Sequence, residues 1–151
     1  MSGQETQRCL AAMAALRAQY LDTVQELERS RKPGDGLFGM KGGPADDPCH
    51  DRYAAELGAL LADFAAAKPE SGDVCRVLAE LCDVPDRKRV PQSAYWMLIA
   101  VQSFGLDLVP LLNREDAGAL RQSFARDYPR WSRLPAQEKL LSARKNAEKG
   151  L

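Results

Sequence analysis

The segment from Asp46 to Asp51 places several chemically active side chains next to one another. It contains His50, the only histidine of the chain, beside the thiol of Cys49 and the carboxylates of Asp46, Asp47 and Asp51. A thiol and an imidazole can act together as a nucleophile and its base, and both are zinc ligands. One hypothesis for this cluster is therefore a thiol- or metal-dependent enzyme.

A zinc site would have to recruit Cys75 and Cys82 to join Cys49 and His50, and the spacing does not favour it. The chain has no Cys-x-x-Cys pair. On one helix, Cys75 and Cys82 would lie about two turns apart, too far to hold one ion comfortably. We therefore expect no metal and no cofactor, and we interpret the thiols as buried side chains in a reducing cytoplasm.

A catalytic role for Cys49 is also weakly supported by the sequence. Adjacent residues at the start of a helix point in different directions, so His50 is poorly placed to act as a base for Cys49. A helix N-terminus lowers the pKa of a thiol, which would make Cys49 reactive without making it catalytic. In the structural interpretation, Asp46 or Asp47 caps the helix and His50 forms a local hydrogen bond. We assign no catalytic residue, and the enzyme stays an alternative.

The last third of the chain is the most basic part. Residues 114 to 151 contain nine basic and five acidic residues, whereas the whole chain has a net charge of zero. Guanidinium and aromatic side chains that can contact phosphates and stack on bases occur together at Arg126, Arg130, Trp131 and Arg133. Because the sequence pI is about 6.6, we do not expect nucleic acid as the partner, and nucleic-acid binding remains an alternative function.

A Gly/Pro-rich loop is predicted over residues 33–48, which contain five glycines and three prolines. The pattern matches no phosphate-binding glycine motif. Large apolar side chains stand among these glycines at Leu37, Phe38 and Met40. They prefer burial, so the loop either packs into the protein's own core, which we favour, or anchors a partner.

The long first helix is predicted over about residues 5–31 from an apolar seam at helical spacing. The seam consists of Cys9, Met13, Leu16, Tyr20, Val24 and Leu27. Leu10 and Leu21 lie beside the seam and would widen it into a second face for a partner. We expect one domain, in which the helix of residues 1–32 docks on a helical core of residues 49–151.

The rest of the chain is predicted to form further helices, which makes the fold all-α, a compact bundle of five to six helices. Asp47-Pro48 and Asn113 with Asp116 resemble helix starts. The run from Ala94 to Val101 is apolar all round, so its helix is expected at the centre. The final helix, about 135–149, offers only Leu140, Leu141 and alanines as apolar residues and is expected at the surface.

Composition and charge limit the function. A chain of 151 residues, of which 45% are hydrophobic, can form one core. Its N-terminus lacks the pattern of a secretory signal, and its most apolar stretch contains Asp107, so we expect a soluble cytoplasmic protein without a membrane span. No catalytic set is assembled, and the expected function is therefore a regulatory or interaction module that binds another protein or a second copy.

Overall fold

The computed structural model describes residues 3–30 and 47–150, and the chain is all-α in this part. Residues 33–46 of the predicted Gly/Pro-rich loop, which include Leu37, Phe38, Met40 and Asp46, lie outside the described residues. The α-helices are α1 (Gly3–Arg29), α2 (Cys49–Ala66), α3 (Ser71–Cys82), α4 (Gln92–Ala100), α5 (Arg114–Asp127) and α6 (Pro135–Glu148). None of these described helices is long and apolar enough to cross a bilayer.

Helix α1 packs along α2 and also contacts α3. Its predicted seam is confirmed, since Cys9, Met13, Tyr20 and Val24 are all buried. Leu10 and Leu21 are half-buried and pack against the core. They therefore contribute less to an outward-facing surface than their positions beside the seam predicted.

Of the two predicted helix caps, that of Asn113 is confirmed, whereas Asp47 stands one position before the N-cap of α2, which is Pro48. The carboxylate of Asp47 accepts the backbone N–H of Cys49 at 2.8 Å in the first turn of α2. The side-chain oxygen of Asn113 accepts the N–H of Asp116 at 2.7 Å at the start of α5. Each bond satisfies one of the backbone donors that a helix leaves open at its N-terminus. Both bonds also fix where the following side chains point.

Helix α4 is less central than predicted. Leu98 and Ile99 are buried, but Trp96 is 41% exposed. The contacts of α4 explain this, because it packs on α2, on α6 and on the segment that follows it. An apolar sequence on every side does not ensure burial on every side, and the outer face of α4 keeps Trp96 at the surface.

The chain between α4 and α5 continues in 3-10 helix over Val101–Asp107 and Val109–Leu111. Gly105 lies inside the first of these segments. A Cβ atom at this position would stand 2.8 Å from Leu78 Cδ2 and 3.2 Å from Leu140 Cδ1. The glycine therefore allows the segment to approach α3 and α6 closely at the centre of the molecule.

Helix α6 is part of the core, which corrects the prediction that it lies on the surface. It packs on α5 and on the Val101–Asp107 segment. Its buried face consists of Gln137, Leu140 and Arg144, spaced three and four residues apart. Two of these three residues are polar, so the buried face carries almost no hydrophobic signal in the sequence.

Candidate functional site

The thiol of Cys49 is held at the start of α2 in a state that does not favour nucleophilic attack. Cys49 is buried, and its backbone N–H is bound by Asp47. Burial, followed by the hydrogen bond and charge of Asp47, raises the pKa of the thiol to about 11. We expected the helix N-terminus to lower this pKa. The structure corrects that expectation, because burial and the neighbouring carboxylate outweigh the helix.

His50 contributes to the contact between α1 and α2. Its Nδ1 lies 2.6 Å from the hydroxyl of Tyr20 in a buried hydrogen bond, and the two rings meet edge to face. Tyr20 also stacks on Tyr53, with ring centroids 4.4 Å apart. Burial raises the pKa of the Tyr20 hydroxyl. His50 is therefore hydrogen-bonded to a residue on another helix, whereas a local partner was expected, and this bond joins α1 to α2.

The four thiols have separate surroundings. Among the described residues, no group of three His, Cys, Asp or Glu side chains is placed to hold a metal ion. Cys82 accepts a hydrogen bond from Arg144, while Cys75 lies against the backbone carbonyl of Asp116. Burial raises the pKa of Cys9 to about 11. These thiols act as small apolar side chains in or near the core.

The aromatic and basic residues near the start of α6 do not form one basic surface. The side chain of Arg133 is 8% exposed and pairs with Glu138 at 3.0 Å. Arg126 pairs with Asp127 at 3.2 Å. Arg130 is exposed and Trp131 is 88% exposed. Since two of the three arginines are already paired with carboxylates, little uncompensated positive charge remains to attract a phosphate backbone.

A shallow depression of about 550 Å³ lies where the start of α2 meets α4. We call it the Trp96 depression, and its lining residues are Asp47, His50, Asp51, Ser93, Trp96, Met97 and Ala100. The guanidinium of Arg87 lies 5.5 Å from the centroid of the Trp96 ring. The exposed tryptophan thus stands beside a concave surface and already holds one cation against its ring.

The Trp96 depression carries negative charge. The carboxylate of Asp51 is exposed and is in no ion pair within the described residues. The pKa of Asp47 is lowered, chiefly because its carboxylate accepts the backbone N–H of Cys49. The hydroxyl of Ser93 is buried and has no hydrogen-bond partner among the described residues. The depression is therefore lined by two carboxylates and one hydroxyl without a hydrogen-bond partner, next to the apolar side chains of Trp96 and Met97.

Arg144 is a residue that the sequence analysis did not single out. Its side chain is 1% exposed, its Nη2 donates to the Sγ of Cys82 at 3.2 Å, and its guanidinium lies 4.7 Å from the centroid of Phe124. Its Nε has no partner among the described residues. Arg144 follows Leu140 by four residues and therefore shares its helix face, but this spacing alone does not show that the face is buried.

Arg144 lines a cavity of about 510 Å³ between α1, α3, α5 and α6. We call it the Arg144 cavity. Its apolar walls include Leu10, Leu120, Phe124 and Tyr128. The Tyr128 hydroxyl donates to the backbone carbonyl of Cys82 and so has a partner. The cavity thus combines an apolar wall with one buried cation whose hydrogen bonds are incomplete.

The structure offers two candidate binding surfaces, which differ in whether a buried cation is present. The Trp96 depression is open and acidic, with an exposed aromatic ring. The Arg144 cavity contains a buried cation. Comparison of the chain with protein-family models, with curated proteins and with solved structures gave no match in any of the three.

Proposed function

We propose that the protein is a recognition module that binds a basic, partly apolar segment of another protein in the Trp96 depression. The observation that carries the proposal is the exposed ring of Trp96 beside a concave surface with two carboxylates. Recognition of this kind requires no catalytic step. A regulatory role would follow if binding the segment changed what the partner can do.

The chemistry of the Trp96 depression favours such a partner. Tryptophan is enriched among the residues that dominate binding energies, because its large ring loses much exposed area on contact. The ring also attracts a cation, as Arg87 already demonstrates at 5.5 Å. A lysine or arginine of the partner can pair with Asp51, while an apolar neighbour packs on Trp96 and Met97.

A second copy of the chain is the other occupant to test. Arg130 and Trp131 are exposed and offer a cation next to an aromatic ring. A contact between this segment and the Trp96 depression of another copy would be heterologous, and such contacts generate rings or open chains of molecules. We favour a different protein as the occupant, because a heterologous self-contact would carry the protein into larger assemblies.

A selection from random peptides tests the proposal. The full-length protein is immobilised, binding peptides are enriched, and the affinities of the best ones are measured by calorimetry for wild type, Trp96→Ala and Asp51→Asn. We expect enriched peptides to carry a lysine or arginine beside a bulky apolar residue. Trp96→Ala should weaken binding at least about tenfold, which corresponds to roughly 1.4 kcal/mol. Asp51→Asn should weaken it less and reduce its salt dependence.

The matched control is Trp131→Ala, which removes the more exposed tryptophan of the chain. This ring has no aromatic or cation contact within the described residues, so its loss should leave peptide binding unchanged. Acidic enriched peptides, or equal affinity of wild type and Trp96→Ala, would refute the proposal. Sedimentation over a range of protein concentrations detects the self-association that a second copy would produce.

A further inference from the structure

The positive charge of the Arg144 guanidinium is buried and is poorly compensated by the protein groups around it. Its side chain is 1% exposed, yet none of the ion pairs among the described residues includes it. Within residues 3–30 and 47–150, its guanidinium donates to the sulfur of Cys82 and lies over the ring of Phe124. Both are weak acceptors compared with a carboxylate. A buried cation with such partners is costly unless something else neutralises it.

The Arg144 cavity has the size and the walls of a small-molecule site. Its volume of about 510 Å³ falls within the range of roughly 300–1,000 Å³ that is usual for ligand pockets. Leu10, Leu120, Phe124 and Tyr128 supply apolar surface, Arg144 supplies the buried cation, and the other charged residues of the lining are Arg76, Glu80, Asp83 and Asp127.

We propose that the Arg144 cavity is a binding site for a small apolar monocarboxylate. The carboxylate of the ligand pairs with the guanidinium of Arg144, which presents its donors in a fork that matches two carboxylate oxygens. The aromatic or aliphatic body of the ligand packs against Phe124 and Tyr128. The site is separate from the Trp96 depression and shares no lining residue with it.

The other charged residues of the cavity explain why the ligand should carry a single negative charge. Three of them already have ion-pair partners. These pairs are Glu80 with Arg17, Asp127 with Arg126 and Arg76 with Asp73. Asp83 also lines the cavity and is in no ion pair within the described residues. Its carboxylate would repel a dianion such as phosphate more strongly than a monocarboxylate.

The test uses benzoate as the probe and benzamide as its neutral analogue of nearly the same shape. Binding of each to the full-length protein is measured by isothermal titration calorimetry at neutral pH. We expect saturable binding of benzoate and at least about tenfold weaker binding of benzamide. Inorganic phosphate should bind more weakly than benzoate, because it is more highly charged at this pH and has no apolar body.

Two variants assign the binding to this cavity. Arg144→Met keeps an unbranched apolar stem without the guanidinium and its charge and should weaken benzoate at least about tenfold, leaving benzamide unchanged. Asp83→Asn removes the repelling carboxylate at an exposed position and should tighten benzoate about threefold. The second variant keeps the test decisive if Arg144→Met folds poorly. Trp96→Ala should leave benzoate binding unchanged.

Several results would overturn the assignment. Benzoate and benzamide binding with equal affinity would remove the role of the carboxylate. Wild-type affinity in a folded Arg144→Met protein would remove the role of the guanidinium. Absence of saturable benzoate binding to wild type, or unchanged affinity in Asp83→Asn, would also contradict the proposed site.

Discussion

The start of α2 and the buried face of α6 differ in how completely their polar side chains are hydrogen-bonded. At the start of α2, Asp47 accepts the N–H of Cys49 and Tyr20 is hydrogen-bonded to His50. On α6, Arg144 is more deeply buried than any of these four, yet its Nε has no partner within the described residues. The start of α2 thus has the more reactive residue types, and its polar groups find their hydrogen-bond partners within the protein.

In these two regions, the type of a residue does not predict what the residue does. A histidine beside a cysteine is typical of an active site, but here the thiol pKa is raised to about 11 and the imidazole joins two helices. An arginine in a terminal helix is typical of a solvent-exposed surface, but here it is buried beside a cavity. A buried polar side chain with incomplete hydrogen bonds beside a cavity is the better indicator of a binding site.

The largest expected effect concerns the helix that carries Arg144. Leu140 is fully buried, so Leu140→Ala should lower the free energy of unfolding by roughly 2–5 kcal/mol in urea titrations. Leu141→Ala, at a half-buried neighbouring position, is the matched control and should cost less. If Leu140→Ala costs under about 1 kcal/mol, α6 does not form part of the core and the comparison fails.

The next effect tests whether His50 is structural. Tyr20→Phe removes the hydroxyl that is bonded to His50 and should cost about 1–3 kcal/mol, because a buried ring nitrogen loses this partner. Tyr53→Phe is the control, since the Tyr53 hydroxyl has no hydrogen bond among the described residues and its loss should cost under about 0.5 kcal/mol. Equal effects of the two substitutions on urea unfolding would contradict the structural role.

The hydrogen bond of Asp47 at the start of α2 should contribute less. Asp47→Ala removes the acceptor of the Cys49 N–H and should cost about 1 kcal/mol, whereas Asp51→Ala in the same turn should cost only a few tenths. The folded pKa of Asp47 lies below its ordinary value of 3.8. The contribution is therefore complete above that value and is lost as the pH falls through the folded pKa. Denaturation of both variants across the acidic range measures this, and a pH-independent difference would contradict it.

The smallest effect at neutral pH concerns the thiol of Cys49. Its ordinary pKa is 9.0 and its folded pKa is about 11, so the folded state keeps a proton that the unfolded chain loses in this range. Stability from this group is complete below pH 9 and declines toward pH 11. Cys49→Ala should reduce the alkaline decline in unfolding free energy. Rapid alkylation of Cys49 in the native protein at neutral pH would contradict the raised pKa.

Local patterns in the sequence predicted much of the fold. The seam of α1 and the Asn113 cap depend on residues within a few positions of one another, and both are present. The exposure of Trp96 and the burial of Arg144 depend on which helices cover them. No local pattern encodes that information, because a Gln, Leu and Arg stripe at helical spacing has the same appearance whether it faces solvent or a cavity.

The candidate sites, too, could be predicted from the sequence only where they depend on residues close to one another in the chain. The residues from Asp47 to Asp51 were singled out by their types, and the structure uses them partly for a hydrogen bond at the start of α2 and an interhelix contact and partly as one side of the Trp96 depression. The second side of that depression comes from α4, more than forty positions along the chain. Its acidic and aromatic character therefore emerges only when two distant segments meet.

The unfolding free energy of Arg144→Met tests the central claim most directly. If Arg144 is buried for the sake of a ligand, an unbranched apolar side chain in its place should leave the ligand-free protein as stable as wild type or stabilise it by about 1–4 kcal/mol. A loss of about 2 kcal/mol or more in urea denaturation would show instead that the guanidinium holds the fold together. In that case, the contrast between α6 and the start of α2 would be wrong.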